Sequence, residues 1–308
     1  MKCFHVSLVL SFLVLFIIYN VQCERLLSRK KRIINGQNEF NHDYVVSLFG
    51  RDSIIHGLLT GSIRAYYCGG ALIEDQWIIT AAHCFKNNDD LLNPNRWHVR
   101  FDKDLSPSTY ERLSNAVVRM FNLFSPKILP QSYYHLKEVH IHPEYDSRFL
   151  ENDIALLRIK EKLDFINKHE IESISLPPDD GQIYPVVNDT CMALGWGCNS
   201  VNGPPNEILK SIKIPVVSHE ECLKMYNVHS QINEKSEFCA GKYRANIGIC
   251  KGDSGGPLVC QGKNRRAYIG GVTSASSSQF PQDYPGIFTR VSHFIPWIRQ
   301  VIRNAKYN

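Results

Sequence analysis

Beyond its first residues the sequence lacks any apolar run of 18 residues, which is the length that a membrane-spanning helix needs. The single long apolar run, residues 6–19, follows Lys2 and ends just before Val-Gln-Cys at 21–23. A basic start, a short apolar segment and small or medium residues before a cut are typical of a secretory signal peptide. We therefore predict a signal peptide at 1–23, an extracellular, secreted protein and no membrane partner; an uncleaved signal anchor is the alternative.

The remainder of the chain lacks a net charge. Six of the 35 basic residues and one of the 30 acidic residues fall within 1–32, so residues 33–308 carry 29 of each. A neutral protein has no general attraction for nucleic acid or for anionic membranes. We expect neither as a partner, and we expect the protein to be a monomer.

Paired Cys-x-x-Cys motifs with histidines at matching spacing are also missing, which argues against a zinc site. Ten cysteines are present, and Cys3 and Cys23 fall in the predicted signal peptide. The even number that remains in a secreted chain indicates four disulfide bonds; these cysteines are Cys68, Cys84, Cys191, Cys198, Cys222, Cys239, Cys250 and Cys260. No metal and no cofactor are predicted.

Long amphipathic helices are missing until residues 294–302, which carry apolar side chains at helical spacing. Before them, short β-type runs alternate with Gly, Pro, Asn and Asp turns, which predicts an all-β barrel or sandwich; examples are 45–49, 77–80, 154–159, 212–217 and 267–273. A polar break at about 165–180 divides this part into two halves. Long surface loops are predicted at 49–67 and 85–136.

A serine stands in an unusual glycine-rich string, Gly-Asp-Ser-Gly-Gly-Pro at 252–257. Glycine is used where the backbone takes a positive φ or approaches another group closely. A hydroxyl on such a turn is exposed, and neighbouring backbone N–H groups can point at one spot, as the nucleophile of acyl transfer requires. Ser254 is therefore a candidate nucleophile; an ordinary glycine-rich turn is the alternative.

Two further strings contain residue types that activate a serine. Thr-Ala-Ala-His-Cys at 80–84 places His83 after an apolar strand, and Glu-Asn-Asp-Ile-Ala-Leu-Leu at 151–157 places Asp153 at the head of another. Each alone could be structural, as a core histidine or a strand cap. Together, in the order His, Asp, Ser, the strings resemble the chymotrypsin-fold (trypsin-like) serine peptidases over about residues 33–302.

This resemblance implies an all-β fold of two antiparallel Greek-key β-barrels, with the active site between them and a C-terminal helix. The peptidase domain would cover 33–308. Its barrels would lie at about 33–165 and 166–293, and the closing helix at about 294–302.

The resemblance also implies a mechanism. Ser254 would attack the substrate carbonyl, His83 would take its proton, and Asp153 would orient the histidine and stabilise its charged form. The backbone N–H groups of Gly252 and Ser254 would form the oxyanion hole.

A basic string directly precedes the region of resemblance. Arg-Lys-Lys-Arg at 29–32 stands before Ile33 and resembles a site for furin-like processing proteases. In the family, the N-terminus freed by cutting pairs with the aspartate before the nucleophile. We therefore predict an activation propeptide at 24–32, cut after Arg32 by a furin-like or trypsin-like protease, and an ammonium of Ile33 paired with Asp253. The alternative is that this segment is a spacer and that activation occurs elsewhere.

The resemblance implies three disulfide bonds: Cys68–Cys84, Cys191–Cys260 and Cys222–Cys239. It leaves Cys198 and Cys250, and here the sequence departs from the family. The family partner of Cys250 would follow Ser274, but no cysteine occurs in that segment. We predict a Cys198–Cys250 bond, with free thiols or an intermolecular bond as alternatives.

The resemblance also assigns a substrate pocket. Its base would lie at Gly248, where trypsin-type members carry an aspartate, and its walls at Ser276 and Gly286. Without a charge, such a pocket favours apolar or aromatic side chains over basic ones. Ser274 would hydrogen-bond Asp153, and Lys251 could favour acidic residues of the substrate near the cut; it could equally be a solvated lysine.

The sequence therefore predicts a secreted serine endopeptidase zymogen that cuts protein or peptide substrates after apolar or aromatic residues. Protein protease inhibitors are expected partners. The alternative is a non-catalytic or partner-restricted member of the same fold that acts as a binding or regulatory protein. A glycosylation sequon, Asn-Asp-Thr, begins at Asn188.

Overall fold

The computed structural model of the chain describes residues 36–39, 41–51, 65–85, 92–101, 104, 134–163, 171–198, 203, 206–226, 232–262 and 265–306. The predicted signal peptide and propeptide, together with Arg32 and Ile33, lie outside the described residues.

Antiparallel strands, most of them short, make up most of the regular secondary structure in this part of the chain. The strands are β1 (Gln37–Asn38), β2 (Val45–Arg51), β3 (Ala65–Glu74), β4 (Trp77–Thr80), β5 (Trp97–Arg100), β6 (Tyr134–Ile141), β7 (Ala155–Ile159), β8 (Thr190–Gly195), β9 (Lys210–Pro215), β10 (Glu237–Ala240), β11 (Pro257–Gln261), β12 (Ala267–Ala275) and β13 (Gly286–Arg290). The helices are α1 (His219–Tyr226) and α2 (Ile295–Asn304).

The first half forms a closed barrel in the strand order β2-β3-β4-β7-β6-β5. Its interior is filled by apolar side chains: along β5, Trp97 and Val99 are buried whereas the residues between and after them are partly exposed. The rings of Trp97 and Phe85 lie 4.6 Å apart in this core. Burying one such large side chain contributes about 1.5–3 kcal/mol.

The second half forms a seven-stranded sheet in the order β1-β9-β8-β11-β12-β13-β10. An isolated bridge between Val216, which follows β9, and Ala240 of β10 connects the two ends of this sheet. Backbone hydrogen bonds flank this bridge, since Val217 donates to the Cys239 oxygen over 3.0 Å and Gly241 donates to the Pro215 oxygen over 2.9 Å. This sheet therefore curls on itself through one bridge, whereas the first is closed by full strand pairs.

The predicted fold class is confirmed in its main features, which are two antiparallel sheets and a C-terminal helix. One boundary differs. β1 pairs with β9, so Gln37 and Asn38 belong to the second sheet although they lie in the segment assigned to the first barrel, 33–165. A two-residue strand has no alternation that could indicate its partner.

Helix α2 matches the predicted closing helix, 294–302, with small shifts at both ends. Its buried residues are Ile295, Ile298 and Ile302, which is the spacing of one helical face. The helix packs on the first half of the chain: His142 and Trp297 rings meet at 5.0 Å. The helix that follows the last strand of the second sheet therefore packs on the first half of the chain.

The two predicted surface loops are shorter than expected. β2 continues to Arg51 and β3 begins at Ala65, so both ends of the loop at 49–67 are strand. The loop at 85–136 contains β5, a strand of the barrel that pairs with β2. The four-residue strand was overlooked because it lies between Asn- and Asp-rich segments, although its alternation of Trp97 and Val99 with polar residues was visible.

Candidate active site

The first barrel places His83 beside Asp153. A short 3-10 turn, Ala82–Cys84, follows β4 and carries the histidine. Asp153 lies two residues before the start of β7, the neighbour of β4. The His83 backbone N–H donates to Asp153 Oδ1 over 2.8 Å, and His83 Nδ1 lies 2.7 Å from Asp153 Oδ2. Two contacts fix the ring relative to the carboxylate, because both the backbone and the side chain of the histidine take part.

Asp153 is completely buried, with 0% of its surface exposed. Buried carboxylates need hydrogen-bond donors, and the second sheet supplies one: Ser274 Oγ donates to Asp153 Oδ2 over 2.6 Å. Thr289 Oγ1 also donates, over 2.8 Å, to the Asp153 carbonyl oxygen. β12 and β13 thus hold an aspartate of the first barrel, and the site spans both sheets.

The pKa of His83 is raised above its ordinary value of 6.5. Burial alone would lower the pKa, because it disfavours the charged imidazolium. The negative charge of Asp153 and the hydrogen bond to it outweigh burial. The site therefore stabilises a proton on His83.

The turn that carries Ser254 is held against the segment that leads to His83. Gly69 N–H donates to the Ser254 carbonyl oxygen over 2.7 Å, and Thr80 Oγ1 donates to the Gly69 oxygen over 2.7 Å. Gly255 has a φ of 76°, and a Cβ atom there would collide with Thr80 Oγ1. Only glycine permits this close contact, which brings the serine turn to the strand before His83.

The residue before the Asp-Ser pair, Gly252, also has a left-handed backbone, with a φ of 102°. A Cβ atom added to it would lie 3.2 Å from Gly197 Cα. Gly197, in the segment that follows β8, therefore packs closely against the predicted oxyanion turn. The sequence argument did not include this segment, although the two glycines that flank Trp196 indicated a close approach.

Asp253 is buried, with 2% of its surface exposed. Its carboxylate accepts two backbone N–H groups, from Gly197 over 2.8 Å and from Cys250 over 2.9 Å. Burial raises its pKa to about 6, although both hydrogen bonds act to lower the pKa. Among the described residues, no basic side chain pairs with this carboxylate, and the predicted partner, Ile33, lies outside them.

A cleft of about 310 Å³ opens beside Ser254. Its lining residues in the described part of the chain are Cys198, Ile249, Cys250, Lys251, Ser254, Thr273, Ser274, Ala275, Ser276, Ser277, Ser278 and Pro281. Three predicted substrate-binding residues, Lys251, Ser274 and Ser276, are among them. Lys251 is the single charged residue of this set, and it is exposed.

The other two predicted pocket residues, Gly248 and Gly286, are not among the residues that line the cleft. A Cβ atom at Gly248 would collide with the Pro281 carbonyl oxygen, and one at Gly286 would lie 2.5 Å from Ile249 Cδ1. Ile249 is 2% exposed and lines the cleft. The side chain of Ile249 thus occupies space beside Gly286, and sequence reasoning missed this because only the folded chain brings the two together.

The eight cysteines form four disulfide bonds: Cys68–Cys84, Cys191–Cys260, Cys198–Cys250 and Cys222–Cys239. These are the pairs predicted from the sequence, including the one that departs from the family. Cys198–Cys250 lines the cleft, and Cys68–Cys84 ties the turn that carries His83 to β3.

One cluster within the described residues has the composition of a metal site: ligand atoms of Cys68, His83 and Cys84 lie within 4.8 Å of one another. The two cysteines are joined to each other, so neither offers a thiolate, which is the form that binds metals. The chemistry of this donor set does not fit a metal ion.

The predicted glycosylation residue, Asn188, is exposed and has a left-handed φ of 72°. Its backbone N–H donates to the Val216 oxygen over 2.9 Å. The side chain is therefore accessible on a turn whose backbone is fixed.

Comparison with known proteins identifies the family. The model of the Trypsin family matches residues 33–298. Transmembrane protease serine 11G of Mus musculus is 29% identical over 235 residues, which cover 76% of this chain and 49% of that protein. The protein of the same name from Rattus norvegicus is 28% identical over 235 residues, with the same coverage.

The chain spans about half the length of these curated relatives. In the part of the chain that the structure describes, no helix is both long and apolar enough to cross a membrane. The family match covers most of the sequence, including the strings around His83, Asp153 and Ser254. The chain belongs to the trypsin family of serine peptidases.

Proposed function

We propose that this chain is a serine endopeptidase, secreted as a zymogen, that hydrolyses peptide bonds after uncharged apolar or aromatic residues. The observation that carries the proposal is the network of His83, Asp153 and Ser274, with the Ser254 turn held against the strand before His83. A carboxylate that orients a histidine close to a serine is the arrangement that activates a hydroxyl for acyl transfer.

The reaction follows from these positions. Ser254 Oγ bonds to the substrate carbonyl carbon while its proton passes to His83 Nε2, and the N–H groups of Gly252 and Ser254 receive the oxyanion. The intermediate then collapses: the C–N bond breaks and the leaving amine takes the proton from His83. A water molecule repeats the sequence on the acyl-enzyme and frees Ser254.

Asp153 keeps the His83 Nδ1 hydrogen directed toward itself, so that Nε2 is free to accept the serine proton. The neutral imidazole is the active base. Because the pKa of His83 is raised, we expect hydrolysis to decline as the pH falls through a value above 6.5.

The buried carboxylate of Asp253 supports the proposed activation. Within the described residues it has two backbone donors and no cation, and an uncompensated buried charge is unfavourable. An ammonium on Ile33, released by a cut after Arg32, would neutralise this charge and hold the serine turn in its active form.

The lining of the cleft supports the proposed specificity. No acidic residue of the described chain lines it, so a basic substrate side chain would lose its hydration without gaining a partner. Ile249 contributes an apolar surface and shortens the interior. We expect substrates with an aliphatic side chain before the cut to be cleaved readily. Substrates with a larger aromatic side chain there should be cleaved faster by Ile249→Ala than by the wild type.

A library of peptides that differ in the residue before the cut tests both function and specificity. The cut protein should cleave after apolar or aromatic residues, and Ser254→Ala should have no activity. Strong cleavage after Arg or Lys would overturn the specificity. Complete lack of turnover in correctly cut protein would favour a non-catalytic binding protein.

Secretion is tested by expressing the whole chain in animal cells and sequencing the N-terminus of the product. Protein in the medium that begins at Glu24 or Ile33 agrees with a signal peptide at 1–23. Protein retained in the membrane fraction with its first residues intact would instead indicate a signal anchor. The same preparation, treated with an amidase that removes N-linked glycans, reports whether Asn188 is modified, with Asn188→Gln as the control.

A further inference from the structure

The predicted oxyanion turn lies against a second segment, residues 195–198, which we call the platform. Gly252 packs on the platform because a Cβ atom added there would lie 3.2 Å from Gly197 Cα. The Cys198 N–H donates to the Lys251 carbonyl oxygen over 3.1 Å. The position of the Gly252 N–H therefore depends on how the platform and the turn are held together.

Asp253 joins the same two segments noncovalently. One carboxylate oxygen accepts the N–H of Gly197, which lies in the platform, and the other accepts the N–H of Cys250, at the start of the turn. Cβ atoms added at Gly195 or Gly197 would collide with this carboxylate. The platform is thus shaped around Asp253, and the two segments meet at it.

The Cys198–Cys250 disulfide is the covalent link at this junction. Cys198 follows Gly197, and Cys250 is itself one of the two residues that donate to Asp253. Both cysteines are buried, at 2% and 5% exposure, and they form a small cluster separate from the two hydrophobic cores. The disulfide adds a covalent restraint to this junction, and the neighbouring residues Trp196 and Ile249 pack in the two hydrophobic cores.

We propose that Cys198 and Cys250 are positioning residues, whose disulfide holds the oxyanion turn on the platform so that the Gly252 N–H meets the transition state. This inference rests on the proposed peptidase function. Donors act on the oxyanion only when they are fixed before the reaction, and a chain segment freed from a cross-link samples more conformations. Loss of the bond therefore lowers kcat much more than it changes KM, because the other residues that line the cleft and bind the ground state remain.

The test compares two disulfides of the same protein. The double variant Cys198→Ala/Cys250→Ala removes the junction bond, and Cys222→Ala/Cys239→Ala removes one that links α1 to β10 away from the cleft. Each protein is cut after Arg32, its active sites are titrated with a fluorophosphonate, and kcat and KM are measured per titrated site.

We expect kcat of the first double variant to fall by about 10- to 100-fold with little change in KM. This loss is smaller than the one that follows complete removal of an oxyanion donor, because the donor is displaced and not removed. The control variant should keep its kcat per titrated site even where it is less stable. A folded first variant with unchanged kcat, or an equal loss of kcat in the control, would overturn the proposal.

A further variant keeps the proposal testable if the first does not fold. Asn206 Nδ2 donates to the Gly197 carbonyl oxygen, so Asn206→Ala loosens the platform while both cysteines stay bonded. Its kcat should fall by a smaller factor with KM unchanged, and an unaltered kcat would count against the proposal. A wild-type protein that neither labels nor turns over contradicts the peptidase function itself, whereas an active wild type with unaffected variants contradicts only the role of the disulfide.

Discussion

Asp153 and Asp253 are both buried carboxylates beside the candidate active site, but their surroundings differ. Asp153 has two contacts from His83 and one from Ser274, so a group that can carry a positive charge lies next to it. Within the described residues, the Asp253 carboxylate accepts only the backbone N–H groups of Gly197 and Cys250. Burial has raised the pKa of Asp253 to about 6.

Within the described residues, Asp153 therefore has a partner that can carry a positive charge, whereas Asp253 has none. A buried carboxylate is stable when donors and an opposite charge surround it. Asp153 meets both conditions when His83 is protonated, and we propose that it takes part in the reaction. Asp253 meets only the first within the described residues, and we propose that it serves activation, where a cation from a cut chain would supply the second.

The largest expected effect on kcat comes from removing the charge of Asp153. Asp153→Asn removes the charge and allows the wrong tautomer of His83, so we expect kcat to fall by about 10⁴-fold, as in the Ser-His-Asp template. Steady-state hydrolysis by the cut variant checks this. Asp179→Asn, at an exposed ion pair with Arg299, is the matched control and should retain full activity. A loss below tenfold would contradict the role of Asp153.

The next effect comes from withholding the cation from Asp253. Arg32→Gln should prevent the cut and leave the oxyanion turn unsupported, which lowers kcat/KM by about 10²- to 10³-fold, the effect of losing an oxyanion donor. Activity is compared with that of Lys31→Gln, which keeps Arg32. Full activity in a chain shown to be uncut would refute this activation mechanism.

Much of this comparison was accessible from the sequence, because the residues of the predicted triad lie in strings whose composition is unusual. The order of His83, Asp153 and Ser254 was sufficient to predict the family and the fold. Other features depended on contacts between distant segments. The contact of Ile249 with the space beside Gly286 became visible only in the folded chain. The glycines that flank Trp196 indicated a close approach, but not that Gly252 is the residue that they meet.

Strand β5 was missed for another reason. It is four residues long, Trp97–Arg100, and its neighbours in sequence are polar, so the surrounding composition outweighed its alternation. β1, with two residues, had no pattern at all. Short strands are specified mainly by the sheet that they join, and the residues of that sheet are distant in the sequence.

A third prediction concerns the pH dependence of stability in the uncut protein. The pKa of Asp253 is about 6 in the folded chain against an ordinary 3.8, so folding favours its protonated form. Its contribution to the free energy of unfolding is therefore largest below pH 3.8 and is lost as the pH rises to about 6. The loss amounts to about 3 kcal/mol.

Chemical denaturation of Arg32→Gln between pH 4 and 7 measures this change. The matched control is Arg32→Gln with Asp253→Asn, which has no carboxyl to titrate there. The cut protein should also lack the decline, because an ammonium of Ile33 would lower the pKa of Asp253. Identical pH profiles in all three proteins would refute the difference between the two aspartates.

The smallest expected effect comes from removing the hydrogen bond between Ser274 and Asp153. Ser274→Ala removes one donor to Asp153 and leaves both contacts from His83. A hydrogen bond to a charged group is worth about 1.5–3 kcal/mol, and part of it should be recovered by water, so we expect kcat to fall by about tenfold. Ser277→Ala, in the same cleft but without a contact to Asp153, serves as the control. Equal kcat in the two variants would show that Ser274 does not support the triad.

The rate at which a fluorophosphonate labels Ser254 tests the central claim most directly. The reagent bonds rapidly with a serine hydroxyl only when the base and the oxyanion donors are in place, and slowly otherwise. The account predicts rapid labelling of the cut wild-type protein, mapped by peptide mass to Ser254, and labelling slower by about 10²-fold or more in uncut Arg32→Gln. No adduct on the cut protein, or equal rates in the two forms, would contradict it.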